Sequence, residues 1–273
     1  MLIRRALRCV AAVVLGSLPA AFAFAEGIAL QPASLELELD PGAPVTQFVT
    51  ISNTERTTIS VSLGLSEWAM DQAGTTAFVA DEDASSPASD WVQFSPSTFT
   101  LKPGEARQVR LVISPPDGKV PAGDEQIALR ASTVVPVKGQ SGWQRRESAS
   151  LLYLTLGEAA SFPRIADSRL TFTADGQPAI GLDFANDGNA HARLSGTIEV
   201  RGNGAEPYFI PVSDLIVPRE GQLSFLAPLR QSLPDIPVIE VRLDNLFAPQ
   251  QPNETETLAP YRVKTEGGRA AFR

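Results

Sequence analysis

"FTLKPGEARQVRLVIS" (Phe99–Ser114) places one tight turn between two apolar runs. Pro103 presets its backbone torsion and Gly104 accepts the positive φ of a type II turn, so the chain reverses at Lys102–Glu105. Beyond the turn, Val109, Leu111 and Ile113 are apolar at alternate positions, which makes this a strand with one buried face. A hairpin-like reversal of two short strands is the expected structure.

The same period of two runs outward in both directions, and helical spacing is hard to find. Leu35, Leu37 and Leu39 share one face of Ser34–Leu39, with Glu36 and Glu38 opposite, reading as a strand with a solvated acidic side. "FVTISN" (Phe48–Asn53) is a second strand, and "TTISVSLGLSEW" a third, with Ile59, Val61, Leu63 and Leu65 on one parity. From Met70 to Asp90 the pattern dissolves, predicting a long mobile connection. Its acid triplet Asp81-Glu82-Asp83 lacks the spaced ligands and turn glycine of a calcium loop. "QIALRASTVV" and "SASLLYLTLGE" add two strands around the polar loop "PVKGQSGWQRRE". Roughly seven strands between Ile28 and Leu156 match one immunoglobulin-like sandwich.

A second series follows a break at Glu158–Pro163. It includes "RLTFTAD", "IGLDFANDGNAHARLSGTIEVRG" with a turn at Asn186–Asn189, "YFIPVS", "QLSFLAPL" and "PVIEVRLDN". The expected fold class is therefore all-β, with two immunoglobulin-like β-sandwich domains in tandem, residues 26–158 and 159–248. Residues 249–273 form a polar tail in which only "YRVK" has the makings of a strand.

Residues 1–25 read as a signal peptide: Arg4, Arg5 and Arg8 precede the apolar run Cys9–Leu18, and Ala23-Phe24-Ala25 supplies a small-x-small cleavage site. No later apolar span reaches about 18 residues, so export without membrane insertion is expected. The only cysteine, Cys9, leaves with the leader, which excludes disulfides, thiolate metal sites and cysteine nucleophiles afterwards. Removing three of 23 basic residues and none of 31 acidic ones leaves a formal charge of −11, which disfavours nucleic acid and anionic membrane as partners.

Candidate chemistry is sparse. His191 is the sole histidine and reads as a lone surface residue beside the Asn186–Asn189 turn, so a histidine-assisted nucleophile is not expected. Neither a zinc ligand set nor a phosphate-cradling glycine motif occurs, and no carboxylate pair stands out. The expectation is a non-enzyme without cofactor or metal. What remains is a protein-binding strand, Ser148–Leu156, apolar on both parities: Leu152, Leu154 and Leu156 on one, Leu151 and Tyr153 on the other. Such a strand is either central in a sandwich or an edge meant for a partner.

In the order of these features the chain resembles the periplasmic chaperones of the pilus chaperone-usher pathway. The elements that carry the resemblance are the leader, "LQPASLELEL", "VTISNTE", "WVQFSPSTFTLKPGEARQVRLVI" and "VPAGDEQIALRASTVVP", with Ser95-Pro96, Pro103-Gly104-Glu105 and Val109-Arg110 at matching places. They cover Ile28–Leu156. The resemblance implies a periplasmic protein that lends the last strand of its first domain to an unfinished pilin-like secreted subunit, with an outer-membrane usher as a further partner. The lent strand then falls on Leu152, Leu154 and Leu156, with Leu151 and Tyr153 as core; a one-residue slip exchanges the faces. The arginine and lysine by which the family anchors a subunit's terminal carboxylate have no counterparts, since Ser34 stands near the first position and no lysine precedes Glu158 after the leucines. Arg145, Arg146, Lys138, Arg164 and Arg169 are the basic residues nearest in sequence. The alternative is a freestanding immunoglobulin-like structural or adhesion module.

Overall fold

The computed structural model describes residues 27–79, 86–118, 122–137, 139, 141–203, 205–247, 256–257 and 261–263. The leader, the acid triplet Asp81–Asp83, Lys138 and most of the polar tail lie outside these residues. The described chain is almost entirely β and folds as two sandwiches, each around its own apolar core.

The first sandwich uses ten strands: β1 (Ile28–Gln31), β2 (Ser34–Leu39), β3 (Val45–Asn53), β4 (Ile59–Met70), β5 (Thr76–Phe78), β6 (Val92–Ser95), β7 (Thr98–Leu101), β8 (Ala106–Ile113), β9 (Gly123–Pro136) and β10 (Trp143–Leu156). One sheet has the order β1-β3-β8-β6; the other runs β2-β10-β9-β4-β5, with β7 on β4. Two extended stretches are each divided at a proline, which supplies no ladder N–H. At Pro32 the opening strand leaves one sheet as β1 and enters the other as β2, and at Pro96 β6 and β7 part in the same way.

The Phe99–Ser114 turn proves to be an arch between sheets, in place of the expected hairpin. Gly104 has φ 74°, and Glu105 N–H donates to Lys102 C=O at 3.0 Å, as the type II reading requires. Yet β7 pairs with β4 in one sheet and β8 pairs with β3 and β6 in the other. Phe99 and Leu101 therefore face Val109, Leu111 and Ile113 across the core, and all five are buried. Alternation says which face is buried; it leaves the pairing partner open.

The described parts of the expected mobile connection Met70–Asp90, residues 70–79 and 86–90, are more ordered than their composition implies. Asp71 Oδ1 accepts from the N–H groups of Ala73 and Thr75 at 2.9 and 2.8 Å, closing a turn that returns the chain as β5. A short helix, α1 (Ala88–Trp91), then buries Ala88 and Trp91 against the first core.

The second sandwich comprises β11 (Pro163–Phe172), β12 (Pro178–Asn186), β13 (Ala192–Asn203), β14 (Ala205–Val217), β15 (Gly221–Pro228) and β16 (Asp235–Asn245). Its sheets are β11-β12-β15 and β14-β13-β16, the latter extended by β17 (Glu256–Thr257) and β18 (Tyr261–Arg262), both on β16. Tail residues thus join this sheet, with β18 where "YRVK" was expected to add a strand.

Candidate functional site

β10 is one continuous strand whose two halves have different neighbours. Along its whole length it pairs with β9, from Trp143 opposite Pro136 to Leu156 opposite Gly123, without a register shift. Over Leu151–Leu156 its outer side is covered by β2 in parallel. Over Trp143–Ser150 no strand among the described residues pairs with that side. Leu151 N–H donates outward to Ala33 C=O at 2.9 Å, and successive peptide groups alternate in direction. Arg145, Glu147 and Ala149 therefore point their N–H and C=O groups at the same open edge. Ser150 marks the boundary, its hydroxyl donating to Pro32 C=O at 2.8 Å.

Leu152, Leu154 and Leu156, the expected partner-facing residues, are fully buried in the first core. Their parity faces the opposite sheet, so the expected assignment of faces is inverted. The residues expected as core, Leu151 and Tyr153, turn outward together with Ala149 and pack with Trp68, Ala128 and, from the second sandwich, Ile216. Both parities are apolar here because both are covered. Toward the other end of the hairpin the outward face becomes bare: Val134 is 56% exposed and Trp143 73%.

At the covered end the two sandwiches meet around a buried carboxylate. Asp124 on β9 accepts from Thr155 Oγ1 at 2.8 Å, from His191 N–H at 2.5 Å and from His191 Nδ1 at 2.6 Å. His191 is 0% exposed, which corrects the expected surface histidine. Its ring lies between Tyr153 and Phe247, with centroids 4.3 and 4.1 Å away, and its Nε2 is 3.5 Å from Glu36 Oε1. Burial opposes charge on this ring, but Asp124 and Glu36 outweigh it and raise the pKa above the ordinary 6.5. For Glu36 burial acts upward, while His191 and Arg193 outweigh it and hold the carboxyl below its ordinary range. Burial, then Glu36 and Asp124, pushes the Tyr153 phenol up. Glu36, expected on a solvated strand face, is thus an interdomain contact.

Backbone contacts tighten the same junction. Asp124 N–H donates to Asn189 C=O at 3.0 Å, and Asn189 Nδ2 reaches the carbonyls of Ala122 and Glu158, both at 3.2 Å. Gly123 permits this approach: its φ is 122°, and a Cβ there would sit 2.3 Å from Asn189 O. Arg219 donates to Asp124 C=O, and Ser224 N–H to Gln72 C=O at 2.7 Å.

The cation beside β2 that sequence reasoning missed is Arg193, reaching from β13 to Glu36 and, at 2.9 Å, to Asp214. Of the five basic residues named from sequence, Arg145 pairs with Glu147 at 2.7 Å, Arg146 lies 4.0 Å from Glu55, Arg164 pairs with Asp187 at 3.2 Å and Arg169 with Asp183; Lys138 lies outside the described residues. The junction brings none of them together. Among the described residues no group of three or more His, Cys, Asp or Glu has the arrangement of a metal site, and no helix is long and apolar enough to cross a membrane.

No family model and no curated protein matches this chain. Solved structures do. The chain is similar to the YadV chaperone (8% identity, TM-score 0.46, covering 86% of this chain and 99% of that one). It is also similar to the E. coli chaperone DraB (11%, 0.41, 87% and 96%) and to a structure of the Salmonella enterica SafA pilin in complex with the SafB chaperone (15%, 0.43, 88% and 96%).

Proposed function

We propose that this chain is a non-enzymatic periplasmic chaperone-like protein that binds an exported pilin-like subunit by strand addition to β10, in a pathway with an outer-membrane usher. The observation that supports the reading is the open edge of Arg145–Ala149, in register with a segment that already carries an added strand, β2. Backbone donors and acceptors on such an edge bind any extended chain, and alternating side chains choose among them. The leucines expected to fill the client hold the edge in place from beneath, and contact falls to the half of β10 nearer the hairpin tip.

Ala149→Pro tests this. The substitution removes an outward N–H without touching the β9 ladder, a position where strands tolerate proline. The chain is co-expressed with the pilin-like subunits encoded nearest its gene. Wild-type protein is expected to co-purify with a subunit and Ala149→Pro to lose it at an unchanged melting temperature. If neither protein retains a subunit, the chain is a freestanding structural module.

A further inference from the structure

The outward face of the β4–β9–β10 sheet, beside the open edge, holds a groove of about 260 Å3 lined by Ser62, Gly64, Arg130, Ser132, Arg145 and Glu147. Its charges do not balance. Glu147 is the one acid among its lining residues, and it takes both guanidiniums: Arg130 Nη2 lies 3.0 Å from each of its oxygens and Arg145 Nη2 2.7 Å from Oε1. Among the described residues one positive charge is left over, in a chain whose formal charge is −8. Arg130 Nε is moreover buried without a hydrogen-bond partner, while its guanidinium is held 4.8 Å from the centroid of the Phe78 ring. A fixed donor lacking an acceptor beside a surplus cation fits an incoming carboxylate, whose planar oxygens match the guanidinium fork.

We propose that this groove receives an acidic side chain from the strand that adds to β10; this rests on the strand-addition reading. A strand on the open edge lies about 4.8 Å from β10, with its outward Cβ atoms roughly 5 Å from those of Arg145 and Glu147. From there a glutamate leans across β10, meets the 65%-exposed Arg145 first and shares Arg130 with Glu147. Two residues along, the client's next outward side chain faces Trp143 and Val134, so the client's strand carries an acidic residue and an apolar one separated by a single position.

The test uses fluorescein-labelled synthetic peptides of about ten residues, long enough to span the open edge at about 3.3 Å per residue. They alternate valine and threonine and carry glutamate, glutamine or lysine at one central position. On the intact protein the glutamate peptide is expected to bind about tenfold tighter than the glutamine peptide, the scale of one charge-assisted hydrogen bond, with lysine weakest. Arg145→Gln, at an exposed position, and Arg130→Gln, checked by melting temperature, should each shrink that preference, and added salt should do the same. Equal affinities for the three peptides, all lost in Ala149→Pro, overturn the acidic-groove assignment and leave strand addition standing. No binding of any peptide to the wild type overturns both.

Discussion

The β9–β10 hairpin has two ends made from the same two strands in the same register, and they do opposite things. At the Gly123–Leu156 end each surface is occupied: the inner face by the first core, the outer by the second sandwich, the edge by β2. At the Pro136–Trp143 end no strand among the described residues covers the edge, and Val134 and Trp143 are exposed. The β9–β10 ladder, unbroken from end to end, does not separate them. What does is the location of buried charge: Asp124 and His191 are wholly dry and paired with each other, while Arg130, Arg145 and Glu147 form a partly wet set with a donor to spare.

Breaking the closed end should cost most. Asp124→Ala leaves the His191 ring without its closest partner inside a dry junction, and removing one member of a buried pair typically costs about 3–5 kcal/mol. Urea unfolding of the intact chain, followed separately by fluorescence and circular dichroism, should show a midpoint well below wild type. A loss under about 1 kcal/mol would mean that water reaches the pair. Leu154→Ala should come next, at about 2–5 kcal/mol, because it opens a cavity in the first core. Once corrected for the unfolded fraction, its client affinity should match wild type, since Leu154 does not face the edge.

Sequence pattern identified a strand apolar on both parities but not which parity turns to the first core, for a physical reason. Val109, Leu111 and Ile113 could be read because polar residues separate most of them from the other parity; between Leu151 and Leu156 both parities are apolar, so alternation carries no information about direction. The tandem all-β layout was legible because each strand buries at least one face, whichever neighbour it pairs with. The arch at Gly104 was not, since a type II turn serves a hairpin or a sheet crossing equally well. His191 and Arg193 were illegible for a further reason: they acquire their surroundings only when the Asn186–Asn189 turn docks onto β9. Local composition marks that turn as surface, and the contact is between sandwiches.

The closed end should also respond to pH, in a direction fixed by its partners. Facing His191 are Asp124 from β9, Glu36 from β2 and Tyr153 from β10, with Arg193 beyond Glu36. A histidine whose folded pKa is raised contributes stability that is fully present below about pH 6.5 and is lost as pH rises through the folded value. Glu36, held low, contributes above its ordinary 4.5 and loses that contribution as pH falls through its lowered folded value. The urea midpoint should therefore fall on the alkaline side in wild type. His191→Gln, which keeps a neutral donor for Asp124, should flatten that fall, and an unchanged alkaline slope would show that the imidazole is not the titrating group.

The smallest stability effect belongs to the open end. Trp143→Ser removes the most exposed large apolar side chain among the described residues, at 73% exposure, so it should move the unfolding free energy by no more than about 0.5 kcal/mol. Its effect on binding should be much larger. An aromatic side chain at the centre of a contact often costs 2 kcal/mol or more when truncated, roughly thirtyfold in affinity. Trp143 flanks the edge, so a loss of about tenfold is expected, read by the affinity of the glutamate peptide. The closed end predicts the reverse ratio, with large changes in folding and small ones in binding per folded molecule. A Trp143→Ser protein that melted early and bound normally would place the tryptophan with the junction residues and remove the functional difference between the two ends of the hairpin.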